Sequence, residues 1–188
     1  MASTRDRYVS TASRLFREQG FDATSVGEVA EIGGLPIGSL YYYFPGGKEQ
    51  LGVAAVSYGA MQFAGLLREA LSASNDAEEA LSACASLLAD RLEATGWRLG
   101  CPVATVALES VNRSVPLRDA AASALQSWVD LVASRLVELG LDATSAAEVA
   151  CMAISVLEGA ELMARVQGSR QPLDVAAARL PSLVRGPG

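Results

Sequence analysis

Histidine is absent from this chain of 188 residues. Its absence excludes Ser-His and Cys-His nucleophile pairs, imidazole acid–base catalysis and histidine metal ligands. Three cysteines, at 84, 101 and 151, are widely spaced and form no CxxC motif, so the sequence offers neither a disulfide framework nor a zinc motif. We therefore expect no enzyme, no cofactor and no metal site, and a reducing compartment.

Long hydrophobic runs are also lacking. The longest stretch without a charge, residues 50–67, is shorter than the roughly 20 residues that a membrane-spanning helix needs. No apolar leader precedes Arg5 and Arg7. These features predict a cytoplasmic protein without a membrane segment.

Paired carboxylates are the remaining source of acid–base chemistry. Glu158 and Glu161 lie three residues apart, which is one helical turn. Such a pair on a helix is typical of a solvated face, and we prefer that interpretation to a catalytic one.

Alanine and leucine dominate the composition, and 51% of the residues are hydrophobic. No stretch shows the sustained alternation of strands, so the pattern predicts an all-α fold. Gly, Pro, Ser and Thr residues separate the helical segments. Beyond two short helices near residues 25–44, the predicted helices are 3–19, 48–71, 76–94, 102–113, 116–139, 144–167 and 172–184.

A helix-turn-helix is predicted near the N-terminus. Thr24 and Ser25 can cap a two-turn helix, and Glu28 completes the spacing of a capping box with Ser25. Gly33 and Gly34 permit a tight turn before a third helix. Two short helices joined by a glycine turn are typical of DNA-binding proteins.

The third helix, in the segment PIGSLYYYF (36–44), has two distinct faces. If Leu40 and Phe44 face the core, Tyr42 and Tyr43 point outward and present hydroxyl groups to phosphates or base edges. Tyr41 and Phe44 could alternatively form an aromatic core cluster. The residues expected to bind DNA are Thr24, Ser25, Pro36, Ile37, Gly38, Ser39, Tyr41, Tyr42, Tyr43 and Lys48.

Residues 5–51, about a quarter of the chain, resemble the TetR family of transcriptional regulators. The resemblance depends on Gly20-Phe21, Thr24-Ser25, Val29-Ala30, Gly34-Leu35 and, above all, GSLYYYF (38–44) followed by a lysine. The turn FPGGKEQL and the segment GCPVATVALE (100–109) are similar to the branch of LmrA and YxaF.

The resemblance implies a helix-turn-helix DNA-binding domain at 1–50 and a helical ligand-binding and dimerisation domain at 51–188. It also implies a homodimer that binds a double-stranded DNA operator and is released by a small aromatic or drug-like effector. However, position 27 is a glycine, and the third helix has no Lys or Arg. A helical binding dimer with a decayed DNA-binding module is therefore the alternative function.

The helix at 144–167 is apolar around most of its circumference, which indicates that more than one of its sides is covered. The resemblance assigns it to a dimer interface, for which we expect Ala150, Ile154, Leu157 and Leu180. A central core helix in a monomer is the alternative. Scarce large or soft side chains are the candidates for a ligand pocket: Met61, Phe63, Trp97, Cys101, Val106, Glu109, Trp128 and Met152.

Glu109 is the only charged residue between Arg98 and Arg113. Next to a tryptophan in a cavity wall, its carboxylate would favour a flat ligand with a cationic or hydroxyl-donating edge. A solvated position on the exposed side of its helix is an equally good interpretation.

Overall fold

The computed structural model describes residues 3–185. Within this range the chain is all-α, as predicted, and no strand occurs. Ten helices follow one another: α1 (Thr4–Gln19), α2 (Val26–Gly33), α3 (Ile37–Tyr43), α4 (Gly47–Leu71), α5 (Ala77–Ala94), α6 (Ala104–Ser110), α7 (Val115–Glu138), α8 (Ala143–Gln167), α9 (Gln171–Arg179) and α10 (Pro181–Val184). None of these described helices combines the length and hydrophobicity that crossing a membrane requires.

Two compact units make up the described chain. One contains residues up to 62 together with 101–124, and the other contains 63–100 and the residues from 125 onward. The predicted boundary after residue 50, between a DNA-binding domain and a ligand-binding domain, stays a prediction. The compact units divide the chain elsewhere because residues 101–124 pack with the N-terminal helices.

The first unit is built around α1. Ser3 and Asp6 form a complete capping box at its start, and Gly20 ends it with φ 95°, a conformation that favours glycine. Helices α2, α3 and α6 all pack on α1. Close approach is required at Gly52, where a Cβ would lie 2.8 Å from the Phe21 ring and 2.9 Å from the side chain of Leu117.

In the second unit, α5, α8 and α9 pack against one another and α10 packs on α5. Trp128 is fully buried, and its ring centroid lies 4.3 Å from that of Phe63. Glu161 of α8 is buried with 5% exposure, so the expected solvated face is wrong for this residue. Its position one turn after Leu157, which is 1% exposed, places it on the buried side of α8.

Two predicted helix boundaries are wrong. The segment 172–184 is divided into α9 and α10 at Leu180, because Pro181 begins a new helix. The segment 102–113 is helical only over α6, and the residues after it form a turn.

Candidate nucleic-acid interface

Helix α3 has the two faces that the sequence predicted. Leu40 and Phe44 are buried with 0% and 1% exposure, whereas Tyr42 is 81% exposed. Tyr41 and Ile37 are also exposed, so the core-cluster alternative for Tyr41 is wrong. The side of α3 that faces solvent is therefore uncharged and carries aromatic and aliphatic surface.

Gly38 lies on this exposed side of α3. A Cβ built there meets no atom within 4 Å, so the glycine leaves the helix backbone open to an approaching molecule. Tyr43 is half-buried, and its ring stands edge-on to that of Tyr42 with centroids 5.1 Å apart. Tyr42 is thus the most exposed hydroxyl-bearing residue of the face.

Tyr8 of α1 fixes the beginning of α3. Its side chain is fully buried, and its hydroxyl donates to the Pro36 carbonyl oxygen at 2.6 Å. The same hydroxyl is hydrogen-bonded to Ser39 Oγ at 2.7 Å. Ser39, expected to face DNA, therefore uses its hydroxyl within the protein. Sequence reasoning missed Tyr8 because its partners lie about thirty residues away.

Thr24 and Ser25 both use their hydroxyl groups within the chain, although Ser25 is exposed. Thr24 is buried, and its hydroxyl donates a hydrogen bond to the Gly20 carbonyl oxygen. Its prediction as a DNA-contacting residue is therefore wrong. Ser25 Oγ accepts the Glu28 N–H at 3.0 Å and caps α2. Glu28 itself binds Gln19 rather than completing the predicted capping box.

Lys48 follows the turn after α3 and is held by the loop between α1 and α2. Its ammonium donates to the Asp22 carbonyl oxygen at 3.2 Å and lies 4.5 Å from the centroid of the Phe21 ring. Burial lowers the pKa of Lys48 below its ordinary value, and the nearby carboxylates of Asp22 and Glu109 oppose that shift.

Glu109 of α6 contacts the same loop. Its Oε2 accepts the backbone N–H of Asp22 at 2.8 Å, and Arg113 forms an ion pair with the Asp22 carboxylate. Glu109 also lines a cavity of about 200 Å³ with Phe21 and Leu117. Neither tryptophan lines this cavity, so the expected tryptophan neighbour of Glu109 is wrong. Glu109 is half-buried, so the alternative position in open solvent is also wrong.

The arginines of α1 are also engaged within the chain. Arg7 donates to the Gly33 carbonyl oxygen at 2.7 Å, and Arg14 pairs with Glu18 at 3.1 Å. Arg5 lies over the Phe44 ring, 5.4 Å from its centroid. Because these contacts are exposed, a phosphate can compete for the same guanidinium groups.

Comparison with known proteins identifies the family. Residues 9–55 match the model of the tetR family of bacterial regulatory proteins, and residues 77–179 match the C-terminal domain of LmrA/YxaF-like transcriptional regulators. The chain belongs to the TetR family of transcriptional regulators. It is accordingly a DNA-binding transcription regulator with a helix-turn-helix, and the resemblance seen in the sequence is confirmed.

Several relatives match this TetR-family protein over nearly its whole length. An uncharacterized HTH-type transcriptional regulator of Mycobacterium tuberculosis is 37% identical, covering 98% of this chain and 95% of the relative. YxaF of Bacillus subtilis is 32% identical, covering 98% and 97%, and LmrA of the same organism is 30% identical, covering 97% of both. These relatives are regulators rather than enzymes.

Solved structures show the same TetR-family fold. A regulatory protein TetR from Rhodobacter sphaeroides has a TM-score of 0.83 and 22% identity, covering 96% of this chain and 98% of the other. A cysteine mutant of CifR, complexed with a 26-base-pair operator, has a TM-score of 0.80 and 23% identity, covering 97% of both chains.

The residues expected in the ligand pocket of this TetR-family protein are not all brought together. Phe63 and Trp128 pack against each other in the second unit, with their ring planes tilted by 39°. Trp97, also in that unit, is half-buried with φ 64°. Cys101 and Val106 are buried in the first unit. Met61 and Met152 are more than half exposed, and their place in a ligand pocket stays a prediction.

The four residues expected at a dimer interface are buried inside the single chain. Each of them is at most 5% exposed, so their side chains are not available to a second subunit and the prediction is wrong for all four: Ala150, Ile154, Leu157 and Leu180. Helix α8 instead exposes another apolar face. Its large members, together with Val175 of α9, form what we call the α8–α9 stripe: Met152, Leu162, Met163, Val166 and Val175.

Within residues 3–185, no three Asp, Glu or Cys side chains come together as a metal site. Burial raises the pKa of the Cys84 thiol to about 12, so this cysteine is not a nucleophile at neutral pH.

Proposed function

We propose that this TetR-family protein is a repressor that binds a palindromic operator as a homodimer and is released by a small aromatic or drug-like molecule. The observation that supports the DNA contact is the exposed side of α3, where Tyr42 is 81% exposed above the buried Leu40. One α3 from each subunit enters a major groove, with half-sites about one helical turn or a multiple of it apart.

The α3 face recognises DNA mainly by hydroxyl and apolar contacts. Residues 37–43 contain no Lys or Arg, so phosphate neutralisation contributes less than in a basic reader. Ile37 and the tyrosine rings can contact thymine methyl groups, and Tyr42 can donate to a base edge or a phosphate.

A gel-shift experiment with DNA from upstream of the coding sequence, at two salt concentrations, tests the DNA contact. The Tyr42→Phe, Lys48→Ala double variant should bind that DNA more weakly than wild type. Tyr58→Phe is the matched control, since Tyr58 is a half-buried tyrosine of α4 away from α3. Unchanged affinity in the double variant would contradict the assignment of α3.

A binding dimer with a decayed DNA-binding module is the second candidate. The glycine at position 27 and the absence of Lys and Arg from residues 37–43 favour it. In that case the wild type retards no upstream DNA at low salt, yet a small molecule still raises its melting temperature.

The α8–α9 stripe supports the homodimer. Met163 and Val166 are 53% and 78% exposed, and a cavity of about 430 Å³ between α8 and α9 is lined by Gly159, Met163 and Val175. Exposed apolar surface of this kind marks an interaction site. A second copy of the chain is the occupant that we propose, since regulators of this family typically dimerise.

Analytical ultracentrifugation tests this interface. Met163→Arg should give monomers, because a guanidinium buried between two copies has no partner. Leu108→Arg is the matched control, since Leu108 is 75% exposed on α6 and lies outside the stripe. A Met163→Arg protein that remains dimeric would exclude the stripe.

The effector site that we propose lies beside Phe63 and Trp128 in the second unit. Their rings lie 4.3 Å apart between centroids and supply aromatic surface to that unit. In a Trp97→Phe variant, Trp128 is the remaining tryptophan. Aromatic compounds that raise the melting temperature should also quench its fluorescence; stabilisation without quenching would place the site elsewhere.

A further inference from the structure

Asp22 is the point where three parts of the first unit meet. Its N–H donates to Glu109, its carbonyl oxygen accepts from Lys48, and its carboxylate pairs with Arg113. All three polar groups of one loop residue are therefore bound by charged side chains of other segments. These contacts connect the loop to α4, to α6 and to the turn after α6.

Glu109 holds this loop although it lies 87 residues after Asp22 in the sequence. Its Oε1 lies where a Cβ at Gly20 would come within 2.3 Å, so the carboxylate packs directly on the backbone that ends α1. Arg113 anchors the same turn by donating to the Glu109 carbonyl oxygen. The side chain of Glu109 is thus committed to the loop, while its backbone is held independently of that side chain.

Lys48 depends on the loop for its position. Its ammonium has two fixed neighbours, the Asp22 carbonyl oxygen and the Phe21 ring. The ammonium has three donors and uses one on Asp22, so the others remain able to address a phosphate. Holding a long flexible side chain in place before binding reduces the entropy that binding costs.

We propose that Glu109 is a positioning residue for DNA binding: through the loop at 20–22 it orients the Lys48 ammonium toward a DNA phosphate. This inference deepens the proposed function and rests on it. Glu109 touches no DNA in this arrangement. Its effect on affinity is transmitted by the Asp22 backbone, whose N–H it binds and whose carbonyl oxygen binds Lys48.

The sign of the effect separates positioning from simple electrostatics. A carboxylate near DNA repels phosphates, so removing one should strengthen binding or leave it unchanged. Positioning predicts the opposite for Glu109→Ala, namely roughly fivefold to a hundredfold weaker binding by the dimer, about the worth of one hydrogen bond in each subunit. It also predicts a salt slope lower by about two units, because one phosphate contact is lost in each subunit of the dimer.

The experiment measures operator affinity by fluorescence anisotropy at several salt concentrations. Glu109→Gln should restore most of the affinity, because its side-chain carbonyl can still accept the Asp22 N–H. Asp119→Ala, which removes an exposed carboxylate elsewhere in the first unit together with its ion pair to Arg118, controls for the loss of one negative charge. Glu109→Ala should have little further effect in a Lys48→Ala background.

A measurement without DNA keeps this inference separate from the proposed function. Lys48 is the only lysine of the chain, so ¹³C-lysine labelling gives one set of side-chain NMR signals. The Phe21 ring should shift its ε-methylene resonance upfield in wild type and in Glu109→Gln. In Glu109→Ala the resonance should move toward the value of a free lysine.

Three results would overturn the proposal. The first is an unshifted Lys48 resonance in wild type, and the second is a resonance that Glu109→Ala does not move. The third is an operator affinity that Glu109→Ala leaves unchanged or raises, or that it lowers as much in the Lys48→Ala background as in wild type. A wild-type protein that keeps the resonance shift but binds no upstream DNA refutes the proposed function instead.

Discussion

Replacing Gly38 by alanine should improve folding and impair DNA binding at the same time. The added methyl group meets no atom within 4 Å, so it creates no clash inside the protein. Alanine is favoured over glycine in a helix by roughly 0.5–1 kcal/mol, and the lower value applies near a helix end such as this one. The melting temperature should rise by about 1–3 °C.

The same methyl group projects from the side of α3 that we assign to the major groove. If the helix backbone approaches DNA closely at Gly38, the methyl group overfills that contact at a cost of roughly 1–3 kcal/mol. Since about 1.4 kcal/mol is a factor of ten, operator affinity should fall roughly fivefold to a hundredfold.

Gly65→Ala is the matched control. Gly65 lies within α4, is exposed, and also has no atom within 4 Å of a built Cβ. Both variants should be stabilised in thermal denaturation at equal protein concentration, and only Gly38→Ala should lose affinity in fluorescence anisotropy. A Gly38→Ala protein that is more stable and binds the operator as wild type does would refute close approach at this position.

Three further predictions concern stability and reactivity. Gly20→Ala should lower the free energy of unfolding by about 1–3 kcal/mol in urea denaturation, because φ is 95° and the methyl group would displace Glu109; a loss below about 0.5 kcal/mol would contradict this. Hydrogen bonds from Ser145 lower the pKa of the Asp142 cap, so its stabilisation is present above about pH 4 and is lost as the pH falls through the folded-state pKa. Asp142→Asn keeps a capping side chain and should lose less stability between pH 5 and 3, as acid titrations will show. Cys84, with its pKa of about 12, should stay unlabelled by a thiol reagent at pH 8 and react only in denaturant; rapid labelling in the native protein would exclude its burial.

The two faces of α3 could be predicted because they follow from helical geometry within nine residues. Leu40 and Phe44 lie one turn apart, and once they are buried the direction of Tyr42 is fixed. Local reasoning failed for Thr24, since a capping hydroxyl and a buried one have the same sequence pattern. Burial there comes from packing that the sequence around residue 24 does not reveal.

The face of α8 could not be chosen from the sequence. Apolar residues occur around most of the helix, so periodicity does not distinguish Leu157, which is buried, from Met163, which is exposed. The partners of Glu109 were equally inaccessible, because Asp22 lies 87 residues earlier in the chain. Only the tertiary fold brings these two residues together.

The discontinuous first unit has a consequence for protein synthesis and for the construction of hybrid regulators. Residues 101–124 leave the ribosome long after α1–α3, so the unit cannot acquire all its contacts until two-thirds of the chain has been made. A hybrid that joins one regulator to another at residue 50 takes Phe21 from one protein and Leu117 from the other, although both side chains pack close to Gly52. Exchange of DNA specificity between relatives should therefore transfer residues 101–124 together with the helix-turn-helix.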